Sequence, residues 1–285
     1  MVVYRQVRAG RNVRRNALDP LYLPPPASAF IPCRHTDLSP RGVPWHTSIS
    51  ATAYAPPSVE DAAVYRWILG HHASFCVWRL LAQALRDLSA GSKSTSALVD
   101  RTALLLDAYS VLILYAGSCS TEIHGKTIRP LVMAADPAFS DRWARDYEPV
   151  HPLLREISAT HHLSKFTPLS NALKSNLIVH RAAAAHLVPN GESLLRKYSD
   201  DPMEPPTEAQ QEINDRVFLV ERIPICSNEF FAQFATRLGQ VRSDLVHRPL
   251  PVPCGWAGLP SAHADVVTRF HRESGRVLSK LEGSL

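Results

Sequence analysis

Residues 58–88 read Ser-Val-Glu-Asp-Ala-Ala-Val-Tyr-Arg-Trp-Ile-Leu-Gly-His-His-Ala-Ser-Phe-Cys-Val-Trp-Arg-Leu-Leu-Ala-Gln-Ala-Leu-Arg-Asp-Leu. Ser58 is an N-cap by type, because its hydroxyl can accept from an unpaired amide of the first turn. Glu60 and Asp61 follow, where carboxylates complement the positive helix end. Val64, Trp67, Ile68, Phe75, Trp78, Leu81, Ala82, Leu85 and Leu88 recur close to a 3.6-residue period, which predicts one long amphipathic helix. Ser89-Ala-Gly-Ser92 ends it. On a helical wheel His71 falls within the apolar face and His72 on its flank, where a side chain can open onto a pocket.

The same pattern continues outward. Ser96–Tyr115 reads as a second helix and Thr121–Ile128 as a short one, interrupted at Arg129-Pro130. Phe139–Tyr147 is a further segment and Pro152–His162 a turn or two of helix. Pro168–Leu187 is an Ala/Leu-rich helix stopped by Pro189-Asn-Gly191. A polar loop at 199–206 precedes helices over Glu208–Val220 and Asn228–Val246. After a Pro/Gly/Trp loop, Ser261 caps a last helix to Leu281. No alternating stretch of useful length suggests a strand. The expected class is all-α, a helical bundle with long loops.

The segment before residue 59 differs. It holds nine of the 23 prolines, with Pro24-Pro-Pro26 and Pro56-Pro57 incompatible with helix. It also carries seven arginines against two aspartates, so the net charge of +5 resides here and the remainder is balanced. The expected organisation is an extended Pro/Arg-rich arm over 1–58, draped over the surface, and a helical domain over 59–285. The arginines are scattered, so the arm is expected to wrap the body or a neighbouring copy in a homodimer rather than to bind nucleic acid. Hydrophobic residues make up 45% and charged residues 20%, which excludes wholesale disorder. No apolar run reaches about 18 residues, so no membrane span is expected. The first residues lack the apolar core of a secretory signal. Cys33, Cys76, Cys119, Cys226 and Cys254 are odd in number, spread out and without a CxxC pair, which fits a reducing cytoplasm rather than a disulfide framework.

Phosphate-loop, dinucleotide, nucleophile-elbow and HExxH motifs are absent. Histidine stands out instead, with 13 in all and pairs at His71-His72 and His161-His162. His180 and His186 lie six apart on one helix and on different faces, so they do not share one metal. A single histidine can serve as an axial haem ligand, and bundles host cofactors between facing helices.

Asp61–Arg86 resembles the distal-pocket helix of the tryptophan 2,3-dioxygenases, in which a histidine stands six residues before a tryptophan. His72 and Trp78 have that spacing, while alignment on Leu80-Leu-Ala82 points to His71. Thr121–Arg129 is placed like the superfamily segment whose arginine binds the amino-acid carboxylate, and a guanidinium fork matches both oxygens. Phe139–Tyr147 is similar to a substrate-side segment. Val179-His-Arg181 resembles the proximal His-Arg pair of indoleamine dioxygenases, and Phe230–Leu245 the aromatic helix after it. The Gly-Thr-Gly-Gly loop of the tryptophan enzymes is absent, and the closer resemblance is to the histidine-ligated haem tyrosine hydroxylases of antibiotic pathways. That resemblance implies haem b held by His180, with His186 and His247 as alternatives. It further implies His72 as distal acid-base and cofactor-contacting residue, and Arg129 as the carboxylate anchor. The implied reaction is ring hydroxylation of L-tyrosine to L-DOPA with hydrogen peroxide, or dioxygen plus a reductant. An amino-acid dioxygenase and a non-enzymatic interaction protein are the other classes.

Overall fold

A computed structural model describes residues 18–26, 28–33, 55–90, 96–160, 166–188, 193–251 and 260–285. The order is β1 (Leu21–Leu23), α1 (Val59–Ser89), α2 (Ser96–Ala116), α3 (Thr121–Lys126), α4 (Ile128–Ala135), a 3₁₀ turn (Asp141–Trp143), α5 (Val150–Thr160), α6 (Thr167–Leu187), α7 (Leu194–Tyr198), α8 (Glu208–Val217), β2 (Val220–Arg222), α9 (Ser227–His247) and α10 (Ser261–Glu282). The described residues are mostly helical, as the periodicity predicts. Among them no helix is long and apolar enough to cross a membrane.

Ser58 caps α1 as expected, its Oγ accepting from the Asp61 amide at 3.1 Å. α2 is the central element, with α1 on one side and α6 on the other. α1 runs antiparallel to it. A Cβ built on Gly70 would stand 2.9 Å from Ala116 Cβ, so only glycine allows this backbone approach. Trp78 meets Tyr109 farther along, with ring centroids 5.4 Å apart. α6 runs parallel to α2. Asn176 donates to Ser110 at 3.0 Å, and Thr121, just past α2, donates to the His186 carbonyl at 2.6 Å. α10 packs on α2 and α6, while α5 and α9 cover α1.

The structure corrects the expectation of no strand. β1 and β2 form a parallel pair, in register Leu21↔Val220, Tyr22↔Glu221 and Leu23↔Arg222. Three residues are too few to show alternation, and all of β1 is buried, so it reads as a plain apolar run. The arm correction follows from the same residues. Leu21 and Leu23 are inside the core, and the buried Gln233 side chain of α9 pairs with both the amide and the carbonyl of Tyr22. Arg237, fully buried, donates to the Asp19 carbonyl at 2.6 Å. The arm is thus threaded into the body at 18–23; its residues 1–17 and 34–54 lie outside the described residues. α8 stops at Val217, short of the expected Val220. Leu219 takes a left-handed φ of 55° and turns the chain into β2. Phe139–Tyr147 contains a single 3₁₀ turn, and the helix break near Pro130 falls at Thr127, leaving Pro130 in the first turn of α4.

Two polar networks fix the packing. Buried Asp244 accepts from Arg66 Nε at 2.6 Å, from the Tyr115 hydroxyl at 3.1 Å and from the Ala55 amide at 2.9 Å. Asp146 pairs with Arg79 at 3.4 Å and Arg222 at 2.6 Å, and Asp215 pairs with Arg222 at 2.6 Å and Arg145 at 3.1 Å. This chain of ions ties α1 to the 139–148 segment, α8 and β2.

Candidate active site

A cavity of about 700 Å³ opens between α1, α2, α5 and α6. Trp67, His71, Ser74 and Trp78 line it from one face of α1, at helical spacing. His180 lines it from α6, beside Ala183, Ala184 and Leu187. The Gly70–Ala116 and Trp78–Tyr109 contacts set the level of His71 against α2; the Asn176–Ser110 and Leu187–Gly117 contacts set that of His180. Both fall near Ile113–Tyr115, within about one helical turn of each other. Two imidazoles therefore flank the cavity on either side of α2.

His71 is held on three sides. Its Nδ1 lies 2.7 Å from the Trp67 carbonyl oxygen, so Nδ1–H donates and Nε2 is left toward the cavity. The ring stacks on Phe218, with centroids 4.2 Å apart and planes at 18°. Asp141 Oδ2 stands 3.4 Å from Nε2. The 3₁₀ turn presents this carboxylate, and Ser140 caps the turn by accepting from the Arg142 amide at 3.2 Å. Enclosure by the cavity walls raises the Asp141 carboxyl, but His71, then His180 and His124, leave it below its ordinary value.

His180 is exposed to the cavity and makes no hydrogen bond with any described residue. Burial pushes its pKa down, against an opposing pull from Asp141, so the ring stays neutral with a free lone pair. His124 also lines the cavity, lowered by burial and then by Arg129. Trp78, Tyr109 and Tyr147 form an aromatic wall, Trp78 lying 5.4 and 5.2 Å from the two phenol rings. Burial raises both phenols, which remain neutral. Glu148 and Arg155 bring charge to α5 and its approach, and His151 lines the cavity beside them.

The placement of the histidine pair reverses the helical-wheel reading. His72, not His71, is in the core. It is fully buried, with Nε2 on the Phe218 carbonyl and Nδ1 without a hydrogen-bond partner among the described residues. Burial, reinforced by Arg237, holds it far below its ordinary pKa, so it is neutral. The wheel could not separate the two positions, because α1 is covered on most sides and its cavity face is itself aromatic. Arg129, the second residue of α4, is half-buried and does not line the cavity; it makes no hydrogen bond or ion pair with a described residue and acts on His124 through its charge. His186 places Nε2 3.0 Å from the Cys119 carbonyl oxygen, and His247 places Nδ1 2.8 Å from that of Ser243; neither lines the cavity. His161, His162 and Cys254 lie outside the described residues. Sequence reasoning missed Asp141, Glu148 and Arg155. All three sit in non-periodic segments or on a short helix, where only tertiary packing reveals their direction.

The profile of the SfmD 3-methyl-L-tyrosine peroxygenase family matches residues 25–175. This stretch contains His71, Asp141 and Arg155 and stops short of His180. A 3-methyl-L-tyrosine peroxygenase of Streptomyces lavendulae is 30% identical over 135 residues, which cover 42% of this chain and 34% of that protein. The chain thus spans about a third of the length of this relative. The family profile covers more than half of the chain, and its match includes the α1 and α5 walls of the cavity: the chain belongs to the SfmD 3-methyl-L-tyrosine peroxygenase family.

Proposed function

We propose that this protein is a haem-dependent hydroxylase that inserts one oxygen atom from hydrogen peroxide into the ring of L-tyrosine, giving L-DOPA. Dioxygen with a reductant is a substitute oxidant. The observation that carries this reading is the pair of imidazoles, His71 and His180, on either side of one largely apolar cavity. The family match supports peroxide as oxidant and a tyrosine derivative as substrate.

The residues present fit haem b. The cavity volume of about 700 Å³ falls within the range of roughly 300–1,000 Å³ common for cofactor and ligand sites. His180 is a neutral imidazole with no competing hydrogen bond among the described residues. Ala183, Ala184 and Leu187 offer an apolar wall beside it. On this reading His180 holds the iron, and the helical domain is a haem-enclosing bundle of the tryptophan/indoleamine dioxygenase type. When bound, haem supplies the redox equivalents for cleaving the peroxide O–O bond. His71 is the residue placed to move protons, since its Nε2 reaches the cavity and that of His72 does not. The aromatic wall of Trp78, Tyr109 and Tyr147 suits a phenol ring, and fixing that ring selects the position oxidised. The proposed setting is antibiotic precursor biosynthesis.

A second substrate deserves equal testing, because the relative from Streptomyces lavendulae is named for 3-methyl-L-tyrosine. The decisive experiment takes the purified protein, records its absorption spectrum, and supplies hydrogen peroxide with L-tyrosine or 3-methyl-L-tyrosine. A Soret band and a product heavier by one oxygen support the reading. Ring cleavage with two oxygens gained supports the dioxygenase class. Absence of a Soret band from reconstituted protein overturns the haem reading. Within this experiment, His180→Ala should lose most of the haem while His186→Ala and His247→Ala retain it.

A further inference from the structure

We propose that Asp141 is the positioning residue for His71: it fixes the direction of Nε2 and stabilises the proton that this nitrogen takes up in the cavity. The inference rests on the hydroxylase reading and assigns a role in it to a carboxylate.

The Trp67 carbonyl accepts from Nδ1–H at 2.7 Å, which settles the neutral tautomer. Nε2 is then a bare acceptor, and the atom facing it at 3.4 Å is another bare acceptor, Asp141 Oδ2. The pair becomes complementary only when a proton arrives at Nε2. At that moment the imidazolium is held between a carbonyl at one nitrogen and a carboxylate at the other, against the Phe218 ring. The Asp141 side chain is 55% accessible, because it looks into the cavity. Its other electrostatic neighbours are His180 of α6 and His124 of α3. Arg142, Glu148, His151 and Arg155 line the same cavity from the 3₁₀ turn, the segment before α5 and α5 itself. Among these, Asp141 is the charge paired with His71.

The step balances simply. Hydrogen peroxide gives one proton to His71 Nε2, and His71 returns it to the oxygen that leaves as water. The other oxygen goes to the substrate ring, so that peroxide plus arene gives phenol plus water. Removing the carboxylate takes away the acceptor that faces the proton on Nε2 at 3.4 Å, so the proton is less well held between its uptake and its return.

The test uses full-length, haem-loaded protein and the variants Asp141→Asn and Asp141→Glu. Cyanide is the first probe, because HCN must surrender its proton to the same acceptor when the anion binds. Its association rate is measured at fixed pH. Peroxide-dependent hydroxylation of L-tyrosine is the second measurement. With Asp141→Asn cyanide association should slow about tenfold or more, because the proton left on Nε2 no longer has the carboxylate that faces it. kcat/KM for peroxide should fall about 10- to 100-fold, a part of what a whole acid-base group contributes. L-Tyrosine affinity should stay within threefold. Asp141→Glu should restore both rates toward wild type. A cyanide rate unchanged in Asp141→Asn, or an equal loss in both variants, overturns the proposal. If the wild type takes up cyanide but makes no hydroxylated product, the hydroxylase reading fails while the cyanide series still decides the role of Asp141. Protein that takes up no haem overturns both.

Discussion

The ring nitrogen Nε2 of His72 is hydrogen-bonded to the carbonyl of Phe218, 146 residues away in the chain, while the Phe218 ring stacks on His71. One residue thus serves both histidines, its carbonyl on His72 and its ring on His71. Phe218 is the C-cap of α8, and the left-handed Leu219 after it begins the turn into β2. The threading of the N-terminal arm and the cavity wall are therefore coupled through β1, β2 and this cap.

A first prediction separates the two imidazoles. His72→Leu removes a buried hydrogen bond and strands the Phe218 carbonyl, which costs about 1–3 kcal/mol. Its melting temperature should fall by several degrees. His71→Gln should cost less than His72→Leu, since glutamine keeps a donor for the Trp67 carbonyl. On the proposed function it should lose peroxide turnover by about 10²–10⁴-fold. Thermal unfolding and initial rates on both variants check this. A stable His72→Leu beside an unfolded His71→Gln would reverse the assignment.

Acid should destabilise the fold before any carboxylate protonates. His72, His124 and His180 are all lowered, each first by burial. Below the unfolded histidine pKa of about 6.5 the unfolded chain gains protons that the folded protein does not, so stability falls as pH falls. Urea midpoints of the haem-free protein should decline between about pH 7.5 and 5.5. His72→Gln should flatten that decline. A midpoint unchanged over this window would contradict the burial of His72.

Most of the helical frame was legible because its elements are long and periodic. The α1 helix, from Ser58 to the end near Ser89, is readable from one cap and one stripe. The candidate site was legible only in part. His180 was reachable as a lone histidine on a helix of the right order, whereas His71 and His72 differ by one residue on a helix buried nearly all round. Asp141 lies in the Phe139–Tyr147 segment that resembles a substrate-side stretch, but nothing singled it out, since its direction is set by a three-residue turn and by the ion chain behind it. β1 was hidden because a three-residue buried strand has no period to read.

That ion chain gives a third prediction. The Asp146 side chain is 1% exposed and stands between Arg79 and Arg222. Asp146→Leu leaves two guanidinium groups facing each other with half their compensation gone. Breaking a buried pair from one side costs about 3–5 kcal/mol. The urea midpoint should drop accordingly. Asp146→Asn, which keeps an acceptor oxygen, should lose less. Equal stability of wild type and Asp146→Leu would show that the cluster is solvated rather than buried.

The last prediction concerns the amino-acid end of the substrate. Arg129 was expected to bind the carboxylate, yet it lies off the cavity wall, whereas Arg155 lines the cavity on α5 without a hydrogen bond or ion pair to a described residue. Arg142, also at the wall, is already committed to the Pro202 carbonyl at 2.5 Å. A carboxylate entering the cavity therefore finds an uncommitted fork at Arg155. A charge-assisted pair is about twice as strong as a neutral hydrogen bond, so its loss should be selective for ligands that carry the carboxylate. Arg155→Leu should weaken L-tyrosine binding at least tenfold and leave tyramine, which lacks the carboxylate, within threefold. Arg129→Leu should change both by less than threefold. Titrations of L-tyrosine and tyramine into wild type and the two variants decide the matter. Selective loss in Arg129→Leu alone would return the anchor to α4 and require that helix to move toward the cavity on binding. Equal losses for both ligands in Arg155→Leu would mean that α5 shapes the cavity without reading the carboxylate.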